Sequence, residues 1–97
     1  MFAEGVINMD KCYIITKLTI DKHGKQYVSD CLQFGIFKSE DSADKYINEH
    51  IDIEINKCHE LFKDILCERT ENKFCNRGLR KENTEIIYSV FPVFMRE

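Results

Sequence analysis

The sequence predicts an α+β protein of element order ββαβ, in which a three-stranded sheet of order 2-1-3 packs on one long helix. Two early segments alternate between apolar and polar residues, which is the period of a strand. A later segment repeats its apolar residues at steps of three and four, which is the period of a helix. A chain of 97 residues builds one core, so residues 1–97 are predicted to form a single domain.

The first two strands are predicted as a β-hairpin over residues 11–37. Residues 11–21 and 26–37 alternate, and the short segment between them contains Gly24, which can adopt a positive φ in a turn. Residues 1–10 have no clear period and are predicted as an N-terminal arm.

The long helix is predicted over residues 39–67. Ser39 is a favourable N-cap, and the acidic Glu40 and Asp41 follow where the helix dipole favours negative charge. Residues 51–55 alternate locally like a strand, but the apolar stripe continues on both sides of them and favours helix. This stripe consists of Ala43, Ile47, Ile51, Ile55, Cys58, Phe62, Ile65 and Leu66.

After the helix, residues 68–83 are predicted as a basic loop and residues 85–95 as the last strand. Pro92 cannot donate to a strand ladder, so it places this strand at an edge or ends its pairing. A right-handed crossover through the helix makes the last strand parallel to the second one, and the first strand then fits between them.

One face of this predicted sheet is not covered by the helix, and it carries Tyr13, Ile15, Tyr27 and Cys31. An exposed apolar face of this kind usually marks an interface. A second copy of the chain is one candidate to cover it, which predicts a homodimer, and the N-terminal arm is the other.

Charge is distributed unevenly along the chain. Residues 40–64 carry eight acidic side chains against three basic ones, whereas residues 69–81 are basic. The basic loop predicts a nucleic-acid site in which cations contact phosphates while a ring stacks on a base. The alternative is that its arginines pair with the acidic helix. The candidate binding residues are Arg69, Lys73, Phe74, Arg77, Arg80 and Lys81.

The sequence carries no strong signal for a metal, a cofactor or an enzyme, and none of the three is predicted. Cys58, Cys67 and Cys75 are too widely spaced for the tight C-x₂₋₄-C pairs of structural zinc sites. His59-Glu60 begins like the H-E-x-x-H motif, but the second histidine is replaced by Lys63. No histidine is brought by its spacing near Cys75, as a cysteine nucleophile requires.

The chain is predicted to be cytoplasmic, or to lie in the host cell cytoplasm or the virion if it is viral, and its thiols are predicted to be reduced. Residues 1–6 lack the basic region and the apolar stretch of a secretory signal, and no run approaches the roughly 18 apolar residues of a membrane span. Without export, the five cysteines are not expected to form a disulfide framework.

The stretch Tyr13-Ile14-Ile15-Thr16, followed by Gly35-Ile36-Phe37-Lys38-Ser39 and then Ala43, Tyr46 and Ile47, resembles small uncharacterised proteins of phages, bacteria and large DNA viruses. In those proteins a strand pair leads into an F-x-S-x-x-x-A-x-x-Y-I helix start. The resemblance implies the ββα core and no activity. The abundance of isoleucine and lysine also fits the AT-rich genome of such a source.

The sequence therefore predicts a small intracellular module without catalytic activity, which serves protein interaction or structure and associates with itself. A viral or phage accessory protein is the kind of protein this describes. The alternative is a nucleic-acid-binding protein that uses residues 69–81.

Overall fold

A computed structural model describes residues 11–61, 66–71 and 77–94. Within these residues, five strands form one sheet, and one α-helix crosses one face of it. A short 3-10 turn, Leu32–Phe34, lies between the second strand and the helix. The elements in chain order are β1 (Lys11–Ile20), β2 (Gln26–Asp30), α1 (Glu40–Leu61), β3 (Cys67–Glu71), β4 (Arg77–Lys81) and β5 (Thr84–Phe94).

The strand order is β2-β1-β5-β4-β3, and every neighbouring pair is antiparallel. β1 and β5 form the centre through ten consecutive residue pairs, from Lys11↔Phe94 to Ile20↔Glu85. β2 pairs only with the second half of β1. Tyr13 exchanges both backbone hydrogen bonds with Phe37, so its partner Pro92 lies at a non-hydrogen-bonded position of the β1–β5 ladder. The proline is therefore accommodated inside a long strand.

The predicted α+β class with one helix is confirmed, but the three-stranded ββαβ sheet of order 2-1-3 is wrong. Within residues 68–83, the predicted basic loop, the structure has the antiparallel strands β3 and β4, and residues 72–76 between them lie outside the described residues. These two strands carry few apolar residues because only one side of each packs against the helix. Gly78 lies within β4 opposite Thr70, whose hydroxyl occupies the place that a β-carbon on Gly78 would take.

The helix begins at Glu40, and the Ser42 amide donates to the Ser39 hydroxyl (3.1 Å), as expected of an N-cap. It ends at Leu61, so it is shorter than the predicted 39–67, and Cys67 belongs to β3. Phe62 and Ile65 of the predicted stripe lie outside the described residues.

The core lies between α1 and the sheet. Ile51 from the middle of the helix and Ile15 from β1 are fully buried there. Residues 51–55 are helical despite their strand-like alternation, so Ile51 is buried and Ile53 faces outward. The buried residues of this core are Ile15, Cys31, Ala43, Ile47, Ile51, Cys58, Cys67, Leu79 and Tyr88.

The face predicted to be uncovered is the one that the helix covers. Ile15 and Cys31 are buried, Tyr13 packs partly against the core, and Tyr27 is half exposed on the edge strand β2. Alternation along a strand identifies which residues share a face, but it does not say which face the helix covers. The N-terminal arm 1–10, the other candidate to cover the sheet, lies outside the described residues.

Candidate functional site

The sheet surface opposite α1 is covered by no described residue, and we call it the open face. Its apolar part spans the three strands β2, β1 and β5, and Asp30, which pairs with Thr16, places a carboxylate on the β2 edge of the same face. The residues that form this part are Cys12, Ile14, Thr16, Leu18, Ile20, Val28, Ile87, Ser89, Phe91 and Val93. A continuous apolar surface on a small protein indicates an interaction site.

A groove runs across the middle of the open face. Thr16 and Ser89 are directly opposite each other in the β1–β5 ladder, and their small side chains leave a depression. Larger residues border it, and the space has a volume of about 380 Å³. Two of the residues that border the depression, Phe91 (51% exposed) and Val28 (73% exposed), project into solvent. The open face therefore combines a depression with a protruding aromatic ring.

Charged residues bound the open face at the end where β3 and β4 lie. Glu68, Arg80 and Glu85 point to this side, and Arg80 Nη2 is 4.0 Å from Glu85 Oε2. This exposed ion pair contributes little stability. It marks the border of the apolar surface.

None of the four interface residues predicted from the sequence lies on the open face. Sequence reasoning missed Ile14, Leu18, Val28 and Phe91, the residues that form it. The available signal was ambiguous, because both stripes of β1 are rich in apolar residues and the more apolar one was assigned to the helix side.

Two of the predicted nucleic-acid contacts hold the helix instead. The Arg69 guanidinium donates to the side-chain and backbone oxygens of Asn48 (2.8 and 2.9 Å) and to Asp52. Arg77 donates to the same Asn48 oxygen (3.2 Å) and approaches Asp44 at 3.9 Å. Pairing with the acidic helix, the alternative considered for these arginines, is what the structure shows.

The other basic residues of the segment 69–81 do not join Arg69 and Arg77 in one basic patch. Arg80 and Lys81 are consecutive in β4 and point to opposite faces of the sheet. Lys73 and Phe74 lie outside the described residues. The nucleic-acid alternative stays a prediction: Arg69 and Arg77 share the helix side of the sheet, where they pair with α1, and Arg80 points to the other side.

Cys58 and Cys67 meet in the core, one from the helix and the other from β3. Burial, together with a hydrogen bond to the Cys58 thiol, raises the pKa of Cys67 to about 11, so it is a protonated thiol at neutral pH. In the described parts of the chain, no group of three or more histidine, cysteine or carboxylate side chains is placed to hold a metal ion. Cys75 lies outside those parts.

A polar cavity of about 330 Å³ lies on the other side of the sheet, between α1 and the strands, and we call it the helix-side cavity. The His50 ring lies 4.7 Å from the Phe34 ring and meets the Tyr88 ring edge-on at 5.6 Å. Burial lowers the pKa of His50, and burial raises the pKa of Tyr88 to about 12. The residues that line the helix-side cavity are Lys17, Gln33, Phe34, His50, Glu54, Leu79, Lys81, Ile86 and Tyr88.

The lowered pKa of His50 predicts a pH-dependent stability. Because burial disfavours its charged form, the unfolded chain binds more protons than the folded chain as pH falls below the ordinary histidine value of about 6.5. The free energy of unfolding should therefore decrease from about pH 7 to about pH 5.5, and His50→Phe should reduce this decrease. Urea unfolding at both pH values measures it, and His23→Phe in the exposed hairpin turn is the control. An unchanged pH dependence in His50→Phe would contradict the prediction.

Together, the fold and these surfaces define a small α+β protein with a helix on one sheet face and an apolar second face. Comparison with known protein families, curated proteins and solved structures found no match. Within residues 11–61, 66–71 and 77–94, no helix is long and apolar enough to cross a membrane.

Proposed function

We propose that this chain is a small cytoplasmic interaction module without catalytic activity, which forms a homodimer through the open face. The observation that carries the proposal is the continuous apolar surface of β1 and β5, extended onto β2 by Val28, with Asp30 at its β2 edge. Burying apolar surface is the main favourable term in protein association.

A second copy of this chain is the partner that suits the open face. In a two-fold symmetric dimer the same surface meets itself, so each residue must tolerate its own kind across the interface. The chain has a net charge of −3, but its acidic helix lies on the other side of the sheet. The acidic residues on the open face, Asp30 on the edge strand β2 and Glu68 and Glu85 towards β3 and β4, lie around the apolar part, so two open faces can meet through their apolar centres.

The relief of the open face supports the same partner. Two sheets that pack face to face interdigitate their side chains. The exposed Phe91 ring provides a projection, and the depression over Thr16 and Ser89 provides space of about 380 Å³. Each copy thus offers both a ring to insert and a groove to receive one.

The size of the surface sets the expected affinity. Strand residues rise about 3.4 Å each and strands lie about 4.8 Å apart, so β1, β5 and the shorter β2 give a flat area of about 400 Å² per copy. Two copies then bury about 800 Å² or somewhat more, which is at the low end for specific interfaces. We expect a reversible dimer with a dissociation constant in the micromolar range.

The variant Phe91→Glu tests the proposal. A carboxylate at this position must be desolvated in the dimer opposite the same face of the second copy, so the dissociation constant should rise more than about tenfold. Sedimentation velocity over a concentration series measures it. Ile53→Glu is the matched control, because Ile53 is also 51% exposed but lies on the helix, away from the open face.

A wild-type protein that remains monomeric at high micromolar concentration would contradict the proposal. A Phe91→Glu variant that dimerises as strongly as wild type would also contradict it, since the interface then lies elsewhere. A monomer that dimerises only after residues 1–10 are removed would identify the N-terminal arm as the occupant of the open face instead.

A further inference from the structure

We infer that β2 is a pairing edge, at which a second copy of this chain adds its own β2 as an antiparallel strand. β2 and β3 are the two outermost strands of the described sheet. An outermost strand presents backbone groups to which another strand can bond. This edge contact uses the backbone at the rim of the sheet, so it goes beyond the proposed open-face dimer and does not depend on it.

The register of β1 and β2 identifies which backbone groups are available. The Cys31 amide donates to Ile15 (2.9 Å) and the Asp21 amide donates to Lys25 (3.0 Å), so the odd-numbered residues form the hydrogen-bonded pairs of this ladder. Bonded and non-bonded pairs alternate along antiparallel strands. The backbone groups of the even-numbered residues of β2 therefore point away from β1, where no described strand lies. These residues are Gln26, Val28 and Asp30.

β2 lacks the features that usually protect an edge strand. Proline, lysine side chains or a covering helix commonly block pairing at an edge. The sequence of β2 is Gln-Tyr-Val-Ser-Asp, and all five residues are exposed. The strand thus contains no proline and no lysine, and its one charge, on Asp30, lies at its end.

A second copy suits this edge because β2 is complementary to itself. A two-fold axis through Val28, perpendicular to the sheet, sets Val28 against its own copy, and all three outward residues then exchange backbone hydrogen bonds. The same register places the Gln26 amide opposite the Asp30 carboxylate of the second copy, which can accept from it. Tyr27 lies opposite Ser29, a small side chain. No two like charges are directly opposite each other in this register.

The other edge of the sheet does not suit the same contact. In the β3–β4 ladder the Glu82 amide donates to Leu66 (2.8 Å), so the odd-numbered residues of β3 direct their backbone outward. A two-fold pairing of β3 would be centred on Arg69 and would set two guanidinium groups against each other. Like charges directly opposite are destabilising, so β2 is the edge that favours a second copy.

Edge pairing would also enlarge the open face. Because the two-fold axis is perpendicular to the sheet, both open faces lie on the same side of one continuous sheet with five strands from each copy. The apolar area then grows from about 400 Å² to about 800 Å². Two such sheets packed face to face make a tetramer, which is the assembly expected when the proposed dimer also forms.

Intermolecular NOEs test the edge contact in wild type and in Phe91→Glu, which weakens the open-face contact and leaves the β2 edge unchanged. Isotope-labelled and unlabelled copies are mixed at millimolar concentration. We expect a NOE between the α-protons of Tyr27 and Ser29 in different copies, because the α-carbons of a non-hydrogen-bonded pair are about 4.5 Å apart. Within one copy these residues are about 7 Å apart along the strand, so the signal must come from a second copy.

Two substitutions at Gln26 test the register. Gln26→Lys places an ammonium opposite the Asp30 carboxylate of the second copy and should lower the dissociation constant about fivefold, whereas Gln26→Glu should raise it about fivefold, since each pair occurs twice. Sedimentation velocity in the Phe91→Glu background measures both. Lys45→Gln, exposed on α1, changes the net charge as much as Gln26→Glu and should leave the dissociation constant unchanged.

Absence of the NOE between Tyr27 and Ser29 in both proteins would overturn the inference. Gln26→Lys and Gln26→Glu that shift the dissociation constant in the same direction would overturn it as well, because Asp30 is then not opposite Gln26. The two proposals fail separately. The NOE together with a Phe91→Glu variant that associates as strongly as wild type would support the edge contact and contradict the open-face dimer.

Discussion

Replacing Ile51 by alanine is expected to lower the free energy of unfolding by about 3–4 kcal/mol. Ile51 lies in the middle of α1 and is fully buried against the sheet. The substitution removes buried methyl and methylene groups and leaves a cavity that the sheet, held by the ten-pair β1–β5 ladder, cannot readily fill. Such a loss is a large part of the total stability of a domain of this size. Urea unfolding followed by circular dichroism measures it.

The control is Ile53→Ala, two residues further along the same helix. Ile53 is 51% exposed, so we expect a change within about 0.5 kcal/mol. Both proteins must be measured at one concentration, because dimer formation adds to the apparent stability. Similar losses at the two positions would contradict the helical assignment, since a strand places Ile51 and Ile53 on the same face.

This pair of positions shows why the helix was predictable. Residues 51–55 alternate like a strand, but Ala43 and Ile47 before them and Cys58 after them continue a helical stripe. Those same positions are buried in the structure. A stripe that persists over several turns outweighs a local alternation because the whole helix must bury one side. The end of the helix was not predictable, since the apolar spacing continues past Leu61.

The sheet was only partly predictable because β3 and β4 do not look like strands. Their sequences, Cys-Glu-Arg-Thr-Glu and Arg-Gly-Leu-Arg-Lys, contribute only Cys67 and Leu79 to the apolar core. Charged side chains occupy most other positions. The energy that holds these strands comes from backbone pairing and from contacts with α1, and neither is visible in a hydrophobic pattern.

The open face was missed because the sequence does not show which side of β1 the helix covers. Alternation in β1 separates Ile14 and Leu18 from Tyr13 and Ile15, but it is equally compatible with a helix on either side. The path of the chain decides between them: α1 leads from β2 at one edge of the sheet to β3 at the other, over the face that carries Ile15. Since β3 was not predicted, this path was not available from the sequence.

The second large effect is expected for Arg69→Met, which should lower the free energy of unfolding by about 2–3 kcal/mol. The Arg69 side chain is 28% exposed and donates to two oxygens of Asn48 and to Asp52, so it joins the edge strand β3 to the helix. Methionine keeps the length of the side chain but none of the donors. Urea unfolding gives the total loss, and hydrogen exchange should show the largest loss of protection at the β3 amides.

Arg80→Met removes the same charge from β4 and serves as the matched control. Arg80 is 48% exposed and its ion pair with Glu85 is long, at 4.0 Å, so we expect a change within about 0.5 kcal/mol. Equal losses for the two variants would mean that net charge, and not the contacts of Arg69, sets the effect. A coupling between Arg69→Met and Asn48→Ala in a double-mutant cycle would locate the energy in their hydrogen bonds. Because the contact joins residues 21 positions apart, a count of basic residues along the chain could not distinguish this anchor from a nucleic-acid site.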